Sequence, residues 1–186
     1  ILEGENQYEI LNVQANHVRV SGFTFQNTGI SSMEDLAAIK VSNANNVIIE
    51  DNRVINAFFG IYFAHCNKSV VRNNVLTATA KEEHQIGNGI HMWKSDAIHI
   101  TENHISGHRD GIYFEFVTNS LIEKNRSDYN LRYGLHFMFS HDDTYKNNHF
   151  SKNGAGVAVM YTKGVKMLHN IFEENWGDAS YGLLLK

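Results

Sequence analysis

The chain has no proline and a single cysteine, Cys66, in 186 residues. About 5% proline is usual in globular proteins. Proline removes a ladder donor and stays out of central strands, so a chain made of strands paired on both edges is under pressure to lose it. One cysteine excludes an internal disulfide framework and a multi-cysteine zinc site. There is no basic excess either: 16 Lys and Arg against 20 Asp and Glu give a net charge of −4. Without a basic run, nucleic acid is not an expected partner. No apolar run approaches the roughly 18 residues of a membrane span, and no helical stripe at i, i+3, i+4, i+7 is found. The chain lacks an initiator Met, opens on Ile1-Leu2 and closes on Gly182-Leu183-Leu184-Leu185-Lys186 without a polar cap. Because solenoids need capped ends, the expectation is one domain over residues 1–186 that is a piece of a longer protein.

What the chain does have is a repeated phrase: GNGIHMW, then RDGIYFEF, then RYGLHFMF, with glycines at Gly89, Gly111 and Gly134. Each glycine is followed by an aliphatic residue, a His or Tyr, and a large apolar residue, which is the period-two pattern of a strand. The glycine column extends to Gly60, Gly156 and Gly182, with Ala38 one step earlier. A second column runs Asn52, Asn74, Asn103, Asn125, Asn148, Asn170, with steps of 22, 29, 22, 23 and 22. Both columns slip by seven residues at the same place, so one insertion near Thr77–Asn88 accounts for both; a smaller one falls near Trp176–Tyr181. A partial column, Asn130, Asn153 and Asn175, follows five residues behind the first.

Coils of about 22 residues with Gly and Asn turns predict a parallel β-helix of three short strands per turn. It should be right-handed, as parallel crossovers almost always are. The asparagines should point inward and hydrogen-bond up the stack, which satisfies buried amides. Aliphatic places flank them: Val47 and Ile49, Ile98 and Ile100, Val165 and Met167 before, then Val54, Leu76, Ile105, Phe150 and Phe172 after. In the earliest coil Phe23 takes the Asn place.

Function has to lie on an outward column that departs from ordinary solvated polarity. The places two and four after the glycines line up His91, Trp93, Tyr113, Glu115, His136, Met138 and Met160 on one sheet face. Arg109-Asp110 and Arg132-Tyr133 occupy the preceding turn in successive coils and read as a charged rim. Two readings stay open: an aromatic stack that seals the sheet, for instance beneath a loop such as 77–88, or a surface for a partner or ligand. Met and His suit copper, Cu(I) especially. His91 and His136, two coils apart at about 4.8 Å per coil, are poorly placed to share an ion. His136, Met138 and Met160 are neighbours along one strand and across one coil step, and form the candidate copper set. The other nine histidines scatter over different columns and read as mostly solvated. Cys66 falls where Ser95, Ser140 and Thr162 recur and reads as a small turn residue.

The three phrases, in this order and spacing, resemble the NosD family of nitrous oxide reductase maturation proteins, with the coil frame covering most of the rest of the chain. That resemblance implies a periplasmic right-handed β-helix and an ABC-transporter partner, comprising an ATPase and a membrane permease. It also implies a non-catalytic part in assembling the copper–sulfur centre of nitrous oxide reductase, with a copper chaperone as a further partner. It brings no catalytic residues. The alternative is a carbohydrate-binding or carbohydrate-processing β-helix. Enzymes of that kind use carboxylate clusters, whereas the face here offers Glu115 with Asp110 on its rim. The Asp-Pro-His-Asp motif of alginate epimerases is impossible without proline. Trp93 and Tyr113 would still stack on a sugar.

Overall fold

The computed structural model describes residues 1–31, 33–177 and 180–186. The chain winds into a parallel β-helix whose strands fall in three sheets of eight, eight and seven strands among the described residues. Sheet A runs from Leu2–Glu3 to Ile171–Glu173, sheet B from Leu11–Val13 to Leu183–Leu185, and sheet C from Arg19–Ser21 to Lys166–Leu168. Every strand pair is parallel, and each strand inside a sheet pairs with those one coil above and below.

The repeated phrase sets the register of sheet B. Ile61, Ile90, Ile112, Leu135 and Val157 stack in one inward column, and Phe63, Met92, Phe114 and Phe137 in the next. All nine are fully buried, as strand alternation requires of the residues facing the core. The column glycines are needed for space. A Cβ on Gly134 would lie 2.8 Å from Gly156 O and from Phe150 Cδ1, and one on Gly111 would lie 2.7 Å from Gly134 O and overlap Ser127 Oγ.

The asparagine column is inward and continuous. Asn74 Oδ1 accepts the backbone N–H of Asn52 at 3.0 Å and its Nδ2–H at 3.1 Å. The same two bonds recur from Asn74 to Asn103, Asn103 to Asn125, Asn125 to Asn148 and Asn148 to Asn170. Phe23, one coil earlier, gives its N–H to Asn52 Oδ1. The residues just before the ladder, Asp51, Asn73, Glu102, Lys124, Asn147 and His169, all have φ between +51° and +57°. A left-handed residue bends the chain sharply, and the asparagine behind it turns inward to tie adjacent coils. Asn130, Asn153 and Asn175 form a second, shorter ladder that also caps the N–H of His108.

Two sequence expectations need correction. His108 is fully buried rather than solvated, because it stands at the head of that second ladder. Met167, in an inward place, is half exposed: its strand ends sheet C and has a neighbour on one side only. Ser127 takes an aliphatic place in the core, where its hydroxyl donates to Gly134 O and accepts from Asn130 Nδ2. The insertion near Thr77–Asn88 is a loop with one 3₁₀ turn, Glu83–Gln85. The insertion near Trp176–Tyr181 includes Asp178 and Ala179, which lie outside the described residues.

Candidate functional site

The outward face of sheet B assembles as two ladder columns. Tyr62, His91, Tyr113, His136 and Ala158 are register partners, and so are Ala64, Trp93, Glu115, Met138 and Met160. All seven residues singled out from the sequence therefore share one sheet face. Their exposure differs from expectation. His91 (8%), His136 (3%) and Met160 (8%) are buried, while Trp93, Tyr113, Glu115 and Met138 are half-buried.

The cause is stacking along the coil axis. Strands about 4.8 Å apart place flat side chains in the same column against one another. His91 stacks on Tyr62 with centroids 4.6 Å apart, meets Phe59 edge-on at 5.2 Å and faces Tyr113 at 4.8 Å. His136 sits edge-on to both Tyr113 (4.9 Å) and Tyr133 (4.8 Å). Burial pushes His91 down to about 3, with the Arg109 charge adding to it, so this imidazole is neutral at ordinary pH. Burial, then the Glu115 charge, pushes the Tyr113 phenol up. Trp93 lies over the edge of His65 at 4.8 Å, with Lys94 Nζ 4.4 Å from its ring.

The turn before the face holds a second correction. Arg109 and Arg132 are ladder neighbours, Arg132 N–H donating to Arg109 O at 2.8 Å. Asp110, however, is not on a solvated rim; it is fully buried. Its Oδ2 is 3.1 Å from His136 Nδ1, and its Oδ1 accepts the backbone N–H of Tyr133 at 3.3 Å. Arg132 Nε reaches Glu83 of the inserted loop at 3.8 Å and Asp110 at 4.0 Å. One coil below, Asn88 Nδ2 lies 3.1 Å from His91 Nδ1. Both histidines are thus held by a residue that immediately precedes a column glycine, Gly89 or Gly111. That pairing crosses from turn to strand and has no signature in spacing along the chain.

Two other features escaped the sequence. Phe116, Phe139 and Tyr161 stack nearly parallel, at 5.4 and 5.1 Å, as an exposed ladder beside Glu115, Met138 and Met160. All three have positive φ, and following the column five after each glycine would have exposed them. A groove of about 410 Å³ lies between Glu83 and Trp176, with Arg132 and Tyr133 on its wall. Among the described residues no three His, Cys, Asp or Glu side chains converge as a metal cage, and no helix is long and apolar enough to cross a membrane.

The sequence profile described as "Periplasmic copper-binding protein (NosD)" matches residues 76–186, more than half of the chain, and takes in all seven residues of the face from His91 to Met160. The chain belongs to the NosD family. No curated protein sequence matches it. Among solved structures, the NosD-family coil frame is similar to the A-module of mannuronan C-5 epimerase AlgE4 from Azotobacter vinelandii. The TM-score is 0.63 and the identity 18%, over 98% of this chain and 57% of that one. The surface adhesin PfbA of Streptococcus pneumoniae gives 0.61 and 15%, with the same two coverages. The enzymatically active domain of bacteriophage CBA120 tailspike protein 2 gives 0.62 and 12%, over 92% and 27%. The chain thus spans a little over half the length of the epimerase module. At these identities the likeness is one of fold.

Proposed function

We propose that this NosD-family chain is a periplasmic, non-catalytic accessory protein that handles copper as cargo. On this reading it works with an ABC transporter (ATPase and permease) and a copper chaperone in assembling the copper–sulfur centre of nitrous oxide reductase. The observation that carries the reading is the donor set on sheet B of a family described as copper-binding. His136 keeps a buried Nε2 that no chain atom pairs. Met138 lies two residues on, on the same face of that strand, and Met160 is its register partner one coil up. An imidazole with two thioethers is a soft set that suits Cu(I). Trp93, Tyr113 and Glu115 supply the surrounding contact surface, with Arg109 and Arg132 at its edge.

Competition titration against a Cu(I) chelator tests this. His136→Ala and Met138→Ala should each lower Cu(I) affinity, whereas His91→Ala, two coils away and neutral in its stack, should leave it unchanged. Equal affinity for all variants, or no binding by the parent protein, would sink direct metal binding and leave a protein–protein surface. A second reading, glycan binding, is favoured by the groove where Tyr133 and the exposed Trp176 flank Arg132 and Glu83. Aromatic faces beside paired charges suit a sugar ring, and a glycan array decides it.

A further inference from the structure

The Asp110–His136 pair is more specific than sheet packing requires. A carboxylate only accepts hydrogen bonds, so in the neutral imidazole the 3.1 Å contact from Asp110 Oδ2 puts the proton of His136 on Nδ1 and leaves the lone pair on Nε2. That Nε2 is enclosed and has no partner. Enclosed polar atoms are nearly always paired, and an orphan in a native fold asks for a partner the chain does not supply. The ring is fixed between Tyr113 and Tyr133. Asp110 is fixed in turn by the Tyr133 N–H and flanked by Arg132.

The coil below supplies an internal control. Asn88 and Asp110 occupy the same ladder place, since the N–H of Gly89 donates to Asp110 O and the N–H of Gly111 to Tyr133 O. At Asn88 the residue is an amide, and its Nδ2 faces His91 Nδ1 at 3.1 Å. An amide nitrogen donates, so His91 Nδ1 accepts and the proton sits on Nε2. The two histidines therefore present opposite ends: His91 an N–H, His136 a lone pair. Only the lone pair can bind a metal ion. If holding the turn were the whole task, an amide would serve in both coils.

We propose that Asp110 is the positioning residue of the copper site, holding His136 in the Nδ1–H tautomer so that Nε2 is its metal-binding end. This rests on reading His136, Met138 and Met160 as the copper set. Carboxylates behind metal-binding histidines fix ring tautomer and orientation, and losing one typically lowers metal affinity 10- to 100-fold.

The test uses the full chain with ¹⁵N-labelled histidine. Long-range ¹H–¹⁵N spectra of the metal-free parent should show His136 protonated on Nδ1 and His91 on Nε2. Asp110→Asn should move His136 to the Nε2–H form and lower Cu(I) affinity by about 10- to 100-fold in chelator competition, with a circular dichroism spectrum like the parent's. Asn88→Asp, which places the carboxylate one coil lower, should turn His91 to Nδ1–H and keeps the proposal testable if Asp110→Asn does not fold. An Nε2–H His136 in the parent, or a folded Asn88→Asp whose His91 is unchanged, overturns the proposal. A parent that binds Cu(I) and an Asp110→Asn variant that binds it equally well overturns the positioning role and leaves the copper reading standing. A parent that binds no Cu(I) overturns both.

Discussion

Each asparagine of the main ladder has a job that no apolar residue of similar size can do. The two N–H of Asn125 Nδ2 are shared among Ile100 O, Glu123 O and Asn148 Oδ1, while its Oδ1 accepts both bonds from Asn103. Removing it leaves donors and acceptors on three coils buried and unpaired. Asn125→Ala should therefore cost on the order of 1–3 kcal/mol, read as a lower midpoint in denaturant unfolding with an unchanged slope. A loss near zero would mean that water enters the turn and replaces the amide. Ser127, two residues on, shows the same logic in the core, since its hydroxyl joins the second ladder to the Gly134 carbonyl.

At the scale of the elements, three buried ionisable groups in the turns and strands give the fold a pH optimum. Burial pushes the Asp143 carboxyl from 3.8 up to about 8; its Oδ1 accepts the Ser120 N–H while Oδ2 has no partner. The native state thus keeps a proton that the unfolded chain has released, and stability falls as pH rises from 3.8 to about 8. His91 and His108 act in the opposite direction. Burial holds them at about 3 and about 4 against 6.5. Below 6.5 the unfolded chain binds protons that the native state does not, so stability falls on acidification. Together they place a maximum near 6.5. Unfolding free energy followed by denaturant titration across about pH 4–9 should show that maximum. Asp143→Asn should remove the fall on its alkaline side and be the more stable protein at pH 8. A decline that survives in Asp143→Asn would assign it to another group.

At the scale of the whole molecule, the solenoid acts as a ruler. It sets a lattice of side chains with one residue of each column per coil step, and sheet B carries a column that changes from Lys40 through Tyr62 to alternating His and Tyr. Half-buried Trp93, Glu115 and Met138 beside the exposed Phe116, Phe139 and Tyr161 make one continuous strip along the axis. If that strip is the contact for a transporter subunit or chaperone, Trp93 is its best anchor, because a ring already held by His65 and Lys94 loses little freedom on binding. Trp93→Ala should then weaken partner binding by about 2 kcal/mol or more, measured by calorimetry with the purified partner. An unchanged affinity would move the contact to another face.

The sequence by itself determined the coil length, the place of the 77–88 insertion, the inward asparagines, the crowded glycines and the shared face of His91, Trp93, Tyr113, Glu115, His136, Met138 and Met160. All of these follow from a fixed repeat, because in a parallel solenoid spacing along the chain is position in space. Burial on that face was decided only by the tertiary structure. Period-two alternation tells inside from outside, but neighbouring rings 4.6–4.9 Å apart cover one another on the outside as well. His108 was buried by the second ladder. Asp110, which reads as a rim charge, was drawn in to His136, 26 residues away. That contact depends on how one turn folds back over the next coil, a rotation about the stack that no column of letters records.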